Sequence, residues 1–185
     1  MSITQAELKN VAEIIKSGGV IAYPTESVYG LGCDPDNLDS LKKILEIKNR
    51  PNDKGFIILV SDIEQISPYV QSLSQAELKQ LTKPRDRATT FLIPKRARVP
   101  ELLSGQFETI AVRITRHPIA RAICDSIGGA LVSTSCNLSG QPELVSAEQV
   151  KAEMPNTIDL IVEAECGGER PSQIIDLASG RVLRD

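Results

Sequence analysis

Short apolar runs alternate with helix-start signals along nearly the whole chain, and this alternation most limits how it can fold. Strands are predicted at Val20–Tyr23, Phe56–Val60, Thr89–Ile93, Ile110–Ile114, Ala130–Ser133, Asp159–Val162, Ile174–Leu177 and Arg181–Leu183. Between them fall four capping-box patterns: Thr4-x-x-Glu7, Ser61-x-x-Glu64, Ser74-x-x-Glu77 and Ser146-x-x-Gln149. In that motif two side chains satisfy backbone N–H groups that a helix start leaves unpaired. Strands interleaved with helices imply an α/β (α+β) layered fold. The last two strands are separated only by Ala178-Ser179-Gly180 and read as a hairpin, which favours a mixed parallel and antiparallel sheet.

The helices have clear inner faces. From about Gln5 to Ser17, Leu8, Val11, Ala12 and Ile15 recur at helical spacing, and Gly18-Gly19 ends the run. A second helix is expected over Leu38–Lys48 with Leu41, Ile44 and Leu45 inward, and a third over His117–Ser126. Aromatics are 3% of the 185 residues and there is no Trp, so the core must come from Leu, Ile, Val and Ala. That length suits a single domain, residues 1–185, with neither an internal repeat nor a dividing linker.

One segment carries more than fold information. Val20-Ile-Ala-Tyr-Pro-Thr-Glu-Ser-Val-Tyr-Gly-Leu-Gly-Cys33 starts as a strand and breaks at Tyr23-Pro24, where proline removes a backbone donor. Small polar residues Thr25 to Ser27 follow, then Gly30 and Gly32. A strand ending in such a loop is a usual place for an α/β protein to bind a ligand, although glycine and proline also mark ordinary turns.

Several function classes are disfavoured. No apolar run has the length of a membrane span, and the N-terminus lacks the form of a signal peptide, so a cytoplasmic protein without membrane contact is expected. Cys33, Cys124, Cys136 and Cys166 are scattered and form no C-x-x-C pair; reduced thiols are expected, and no metal site. The single histidine, His117, supports no Ser-His-Asp arrangement. Neither a P-loop nor a G-x-G-x-x-G motif is present. Net charge of −3 argues against coating nucleic acid through bulk charge.

The charge is nevertheless uneven. Lys83 to Arg98 holds six basic residues and one acid, Asp86; Lys48, Arg50 and Lys54 form a second group; Arg113, Arg116 and Arg121 form a third. Converging on one face they would make an anion site; spread out they would be a solvated rim. Lys48 and Arg50 suit phosphate oxygens, or equally offset the negative end of the helix dipole. The loop Ser133-Thr-Ser-Cys-Asn-Leu-Ser-Gly140 could offer hydroxyls and amides to a ligand, or cap the next segment. Arg113 lies in an apolar strand and needs an anionic partner if buried.

Tyr23-Pro-Thr-Glu-Ser-Val-Tyr-Gly-Leu-Gly32 resembles the opening signature of the YrdC/TsaC family, the threonylcarbamoyl-AMP synthases. Lys48-Asn-Arg-Pro51, Ala111-Val-Arg-Ile114, Ser133-Thr-Ser-Cys-Asn-Leu-Ser-Gly140 and, more weakly, Gly167-Gly168…Pro171-Ser172 match in the same order. The resemblance implies a YrdC-like twisted mixed sheet flanked by helices, with a concave, positively lined groove. It further implies that L-threonine, bicarbonate (or dissolved carbon dioxide) and ATP are joined into L-threonylcarbamoyl-AMP with release of pyrophosphate. A complex of tRNA-modification proteins would then pass the product to an adenosine beside the anticodon of tRNA. Magnesium (Mg2+) would accompany ATP. By matching position, Lys48 and Arg50 would be catalytic. Lys48, Arg50, Lys54, Ser135 and Asn137 would bind ATP. Thr25, Ser27, Arg113, Ser135 and Ser172 would bind threonine.

The chain also departs from the pattern. Many relatives carry Trp-Pro-Gly-Pro before the strand that holds Thr90-Phe91; here Arg85-Asp86-Arg87-Ala88 stands there. Their Asn-Pro-Leu is Lys54-Gly55-Phe56, and a histidine of some relatives is Leu59. The competing reading is an RNA-binding module in tRNA or ribosome maturation, without synthase activity. Its affinity would fall steeply with salt and ignore L-threonine.

Overall fold

The computed structural model describes residues 3–51, 53–154 and 156–185. Helix α1 spans Gln5–Lys16; Thr4 accepts from the Glu7 backbone while the Glu7 carboxylate accepts from Thr4, and Gly18 turns the chain out at φ +88°. Strands β1 (Ile21–Pro24) and β2 (Tyr29–Gly32) follow. Next come α2 (Leu38–Lys48), β3 (Ile57–Val60), a 3-10 turn (Ile63–Ile66) and α3 (Gln75–Thr82). The centre continues through β4 (Thr89–Pro94), α4 (Glu101–Ser104), β5 (Thr109–Ile114), α5 (Pro118–Ile127) and β6 (Leu131–Ser135). Last are α6 (Ala147–Glu153), β7 (Leu160–Ile161), β8 (Gln173–Asp176) and β9 (Val182–Arg184).

The strands form one sheet of order β7-β1-β2-β6-β3-β5-β4-β8-β9. The pairs β1/β7, β3/β5 and β4/β8 are parallel and the others antiparallel, so the sheet is mixed as expected. The β8/β9 hairpin is also present.

Two local expectations shift. Tyr29–Gly32, read as loop, is strand β2; its glycines lower β propensity but are sterically required, because a Cβ at Gly32 would lie 2.7 Å from the Tyr23 ring. The cap expected at Ser61 and Glu64 belongs one residue later, to Asp62 and Gln65.

The register divides the sheet into two faces, since side chains alternate along each strand. On one face Ile58, Val60, Val112 and Ile93 meet Leu41 and Ile44 of α2, Leu81 of α3 and Leu103 of α4. Opposite, α1 and α5 cover only part of the sheet, packing Leu8, Val11, Ile15, Ile119 and Ile123 on Ile21, Tyr23, Leu59 and Leu131. Each such side chain contributes about 1.5–3 kcal/mol when fully buried. Among the described residues no helix covers the remainder of that face, which forms the floor of a cavity.

Candidate active site

The cavity has a volume of about 410 Å³. Its floor follows from the register: Ile57 pairs with both Ala111 and Ser133, Leu92 with Ala111, and Gly30 with Ser135, so these residues point the same way. Loops after β1, before β3 and after β6 raise the walls. At one end stand Arg50 and Lys54; at the other, Arg113, Ser172 and Arg184; Glu143 is the only carboxylate in the lining among the described residues.

Arg113 is 7% exposed in β5. Its Nε donates to Thr90 Oγ1 (3.1 Å), its Nη2 to Ser172 Oγ (3.0 Å), and its Nη1 lies 3.5 Å from Glu26 Oε2. Glu26 thus supplies the anion that a buried arginine requires. Its other oxygen accepts from Thr115 Oγ1 (2.7 Å) and the Arg116 amide (2.8 Å). Burial raises the Glu26 pKa, but Arg113 and these donors outweigh it and hold the carboxyl below its ordinary value. Ser172 Oγ also receives Arg184 Nη2 (3.1 Å), so two guanidinium groups converge on one hydroxyl.

At the other end, Arg50 donates to the Gly55 carbonyl (2.8 Å) and to Thr134 Oγ1 (3.3 Å), and lies over the Phe56 ring at 5.6 Å. Gly55 brings this loop onto the end of α4: φ is +61°, and a Cβ there would sit 2.5 Å from the Ser104 backbone. Thr25, Ser27, Arg50, Lys54, Arg113, Ser135 and Ser172, all singled out in the sequence, line the cavity. The Thr25 hydroxyl is already engaged, donating to the Val28 carbonyl (2.7 Å).

Lys48 and Asn137, expected against ATP, do not line the cavity. Lys48 is 3% exposed. Its ammonium donates to the Ser135 carbonyl, the Asn137 carbonyl (2.7 Å) and Asn137 Oδ1 (3.0 Å), while Ser135 Oγ donates to the same Oδ1 (2.7 Å). Lys48 therefore pins from behind the loop that presents Ser135. Burial and the neighbouring Arg50 push its pKa down to about 8. The Ser135 carbonyl also accepts from the Asn137 amide (3.1 Å), whereas for the Asn137 carbonyl the helix-end lysine supplies the donor that a buried acceptor requires.

The longest basic run does not converge here; none of its six cations lines the cavity. Arg87 pairs with Asp185 (2.8 Å) and Arg98 with Asp36 (3.2 Å); Lys95 donates to Ser104 Oγ (3.0 Å) and Arg85 lies over Phe91. The Arg85-Asp86-Arg87-Ala88 loop is tied down by charge: Arg116 donates to the Arg85 carbonyl (2.6 Å) and pairs with Glu169 (3.2 Å).

Sequence reasoning missed Glu26 and Arg184 as site residues. Arg184 was within reach of the hairpin reading, since it pairs with Ile174, which lines the cavity. Nothing local marks Glu26, whose partner is 87 residues away.

Fold and cavity together define an α/β protein with a cavity of small-molecule size on the uncovered stretch of a mixed sheet. Residues 13–185 match the Sua5/YciO/YrdC family model, described as telomere recombination, and the chain belongs to that family. A threonylcarbamoyl-AMP synthase of Vibrio campbellii is 39% identical over 183 residues, 96% of this chain and 99% of that protein. One of Vibrio vulnificus is 41% identical over 182 residues, 97% and 98% of the two chains. These relatives are nucleotidyltransferase-type enzymes, the class expected for this chain. P. abyssi Sua5, solved in complex with L-threonine, has TM-score 0.86 at 30% identity, covering 96% of this chain and 53% of that one. This chain thus spans about half of that protein. E. coli YciO has TM-score 0.82 at 30% identity, covering 100% and 91%.

Proposed function

We propose that this chain makes L-threonylcarbamoyl-AMP and pyrophosphate from L-threonine, bicarbonate or carbon dioxide, and ATP, for the threonylcarbamoyladenosine modification of tRNA. The observation that carries the reading is the spacing of two cationic ends across one apolar floor. Thr109 and Arg113, which bracket that floor along β5, are separated by about 13 Å at strand rise.

Arg113, with Ser172 and Arg184 beside it, suits the carboxylate of an amino acid. Arg50 and Lys54 suit the phosphates. Ser135 also lines the cavity, its loop held by Lys48 and Asn137 from behind, and Thr25 and Ser27 would complete the amino-acid side. The threonine amine attacks carbon dioxide to give a carbamate, whose oxygen attacks the α-phosphorus while pyrophosphate leaves. Both nucleophiles come from substrates, so the protein aligns them and offsets charge on the phosphates.

Among the described residues no group of three or more His, Cys, Asp and Glu could hold a metal ion. Magnesium fits only as part of the ATP substrate, held by phosphate and water. Among the described residues no helix is long and apolar enough to cross a membrane, which suits work in the cytoplasm beside tRNA and its modification proteins. The alternative of RNA binding without synthesis would rest on the cations outside the cavity, of which Arg87, Arg98 and Arg116 are each paired with an acid.

The test is pyrophosphate release from MgATP and bicarbonate, with and without L-threonine and with serine as control. Release that needs both L-threonine and bicarbonate is expected. A folded protein with no threonine-dependent release would overturn the reading.

A further inference from the structure

We propose that Phe107 is the platform on which the base of the nucleotide stacks, and so the residue that selects adenine nucleotides over pyrimidine nucleotides. The inference rests on the reading of the cavity as an ATP site and names its base-binding wall.

The chain has three Phe, three Tyr and no Trp. Five of those six rings are buried: Tyr23 and Tyr29 at 0%, Phe56 and Phe91 at 4%, Tyr69 at 5%. Phe107 alone is exposed, at 46%. Isolated exposed apolar residues are common, but the other large exposed ones, such as Leu38, Leu138 and Val182, are aliphatic and none lines the cavity. The single open aromatic ring therefore lies in the wall of the site.

Its place in that wall is also specific. Phe107 precedes β5, at the end of the cavity where Arg50 and Lys54 stand, because β3 and β5 run parallel with Ile57 opposite Ala111. The two are mechanically joined: the Phe56 amide donates to the Leu103 carbonyl (2.8 Å), and Gly55 and Gly105 pack backbone to backbone. Phosphate-binding cations and an aromatic face thus sit on one connected unit. Any base can stack on such a face, but purines present the larger surface and gain more. Arg113 lies at the far end, leaving the carboxylate site out of reach of the base.

The test compares wild type with Phe107→Ala, Phe107→Leu and Phe107→Trp. Affinities for MgATP, MgUTP and inorganic tripolyphosphate are measured by calorimetry, and pyrophosphate release is followed with L-threonine. Tripolyphosphate carries the phosphates without a base. Alanine and leucine variants are expected to lose on the order of 5- to 100-fold in ATP affinity, the worth of one base–aromatic stack. Tripolyphosphate binding should stay within about twofold, the ATP-over-UTP preference should shrink, and tryptophan should restore both. Equal losses for ATP and tripolyphosphate, or no loss for either, overturn the proposal. Wild type that binds ATP through Phe107 but shows no threonine-dependent release sinks the synthase reading and leaves the platform standing. Wild type that binds no ATP sinks both.

Discussion

The Glu26 carboxylate lies 3.5 Å from Arg113 Nη1, both side chains under 10% exposed, joining the loop after β1 to the middle of β5. Breaking a buried pair leaves an uncompensated charge and typically costs about 3–5 kcal/mol. Glu26→Gln is therefore expected to lower the melting temperature measurably and to raise KM for L-threonine more than KM for ATP. Equal effects on both substrates would argue that the pair serves stability alone.

Glu26 also sets a pH dependence. Its folded pKa lies below the ordinary 4.5, so its contribution is fully present above that value and fades as the pH falls through the folded pKa. Acid unfolding curves should show wild type losing its advantage over Glu26→Gln below about pH 4.5. Parallel curves across that range would contradict the assignment.

Arg113 offers three directed donors, to Thr90, Ser172 and Glu26. A lysine keeps the charge but not the planar fork. Arg113→Lys should raise KM for L-threonine by about tenfold or more with little change for ATP, and Arg184→Ala should act in the same direction. Steady-state kinetics with each substrate varied in turn checks this.

Lys48 acts in the same pH sense, in a higher window. Its pKa falls from 10.5 free to about 8 folded, so the unfolded chain holds more protons between those values. Stability attributable to it rises with pH through that window. Lys48→Met, which keeps most of the stem, should abolish this rise in chemical denaturation between pH 7 and 10. It should also destabilise by about 1–3 kcal/mol near neutrality, because the Asn137 carbonyl loses its donor. An unchanged slope would show that other groups titrate there.

Arg50→Ala should cost about 10²- to 10³-fold in kcat/KM for ATP if it offsets phosphate charge in the transition state, as loss of a preorganised donor does elsewhere. A fall in kcat with KM unchanged would place its effect in the chemical step; a rise in KM alone would make it a ground-state contact.

Features set by neighbours in sequence were legible before the fold was known. The Thr4/Glu7 and Ser74/Glu77 caps, the inward faces of α1 and α2 and the β8/β9 hairpin all depend on contacts within a few residues. The same local reading missed β2, since the Tyr23 ring that makes Gly32 necessary belongs to the neighbouring strand. It also left the cations unsorted. Arg50 and Lys54 reach the cavity, Lys48 turns inward to loop carbonyls, and Arg87 and Arg98 meet acids far along the chain.

The sequence by itself determined the layered class, the starts and inner faces of α1 and α2 and the family signatures, because periodicity, caps and turns are short-range physics. Only the tertiary structure decided which charges are free. A charge keeps or loses its availability according to what is packed against it, and for Arg113, Glu26, Lys48 and Arg184 those partners come from distant strands and loops.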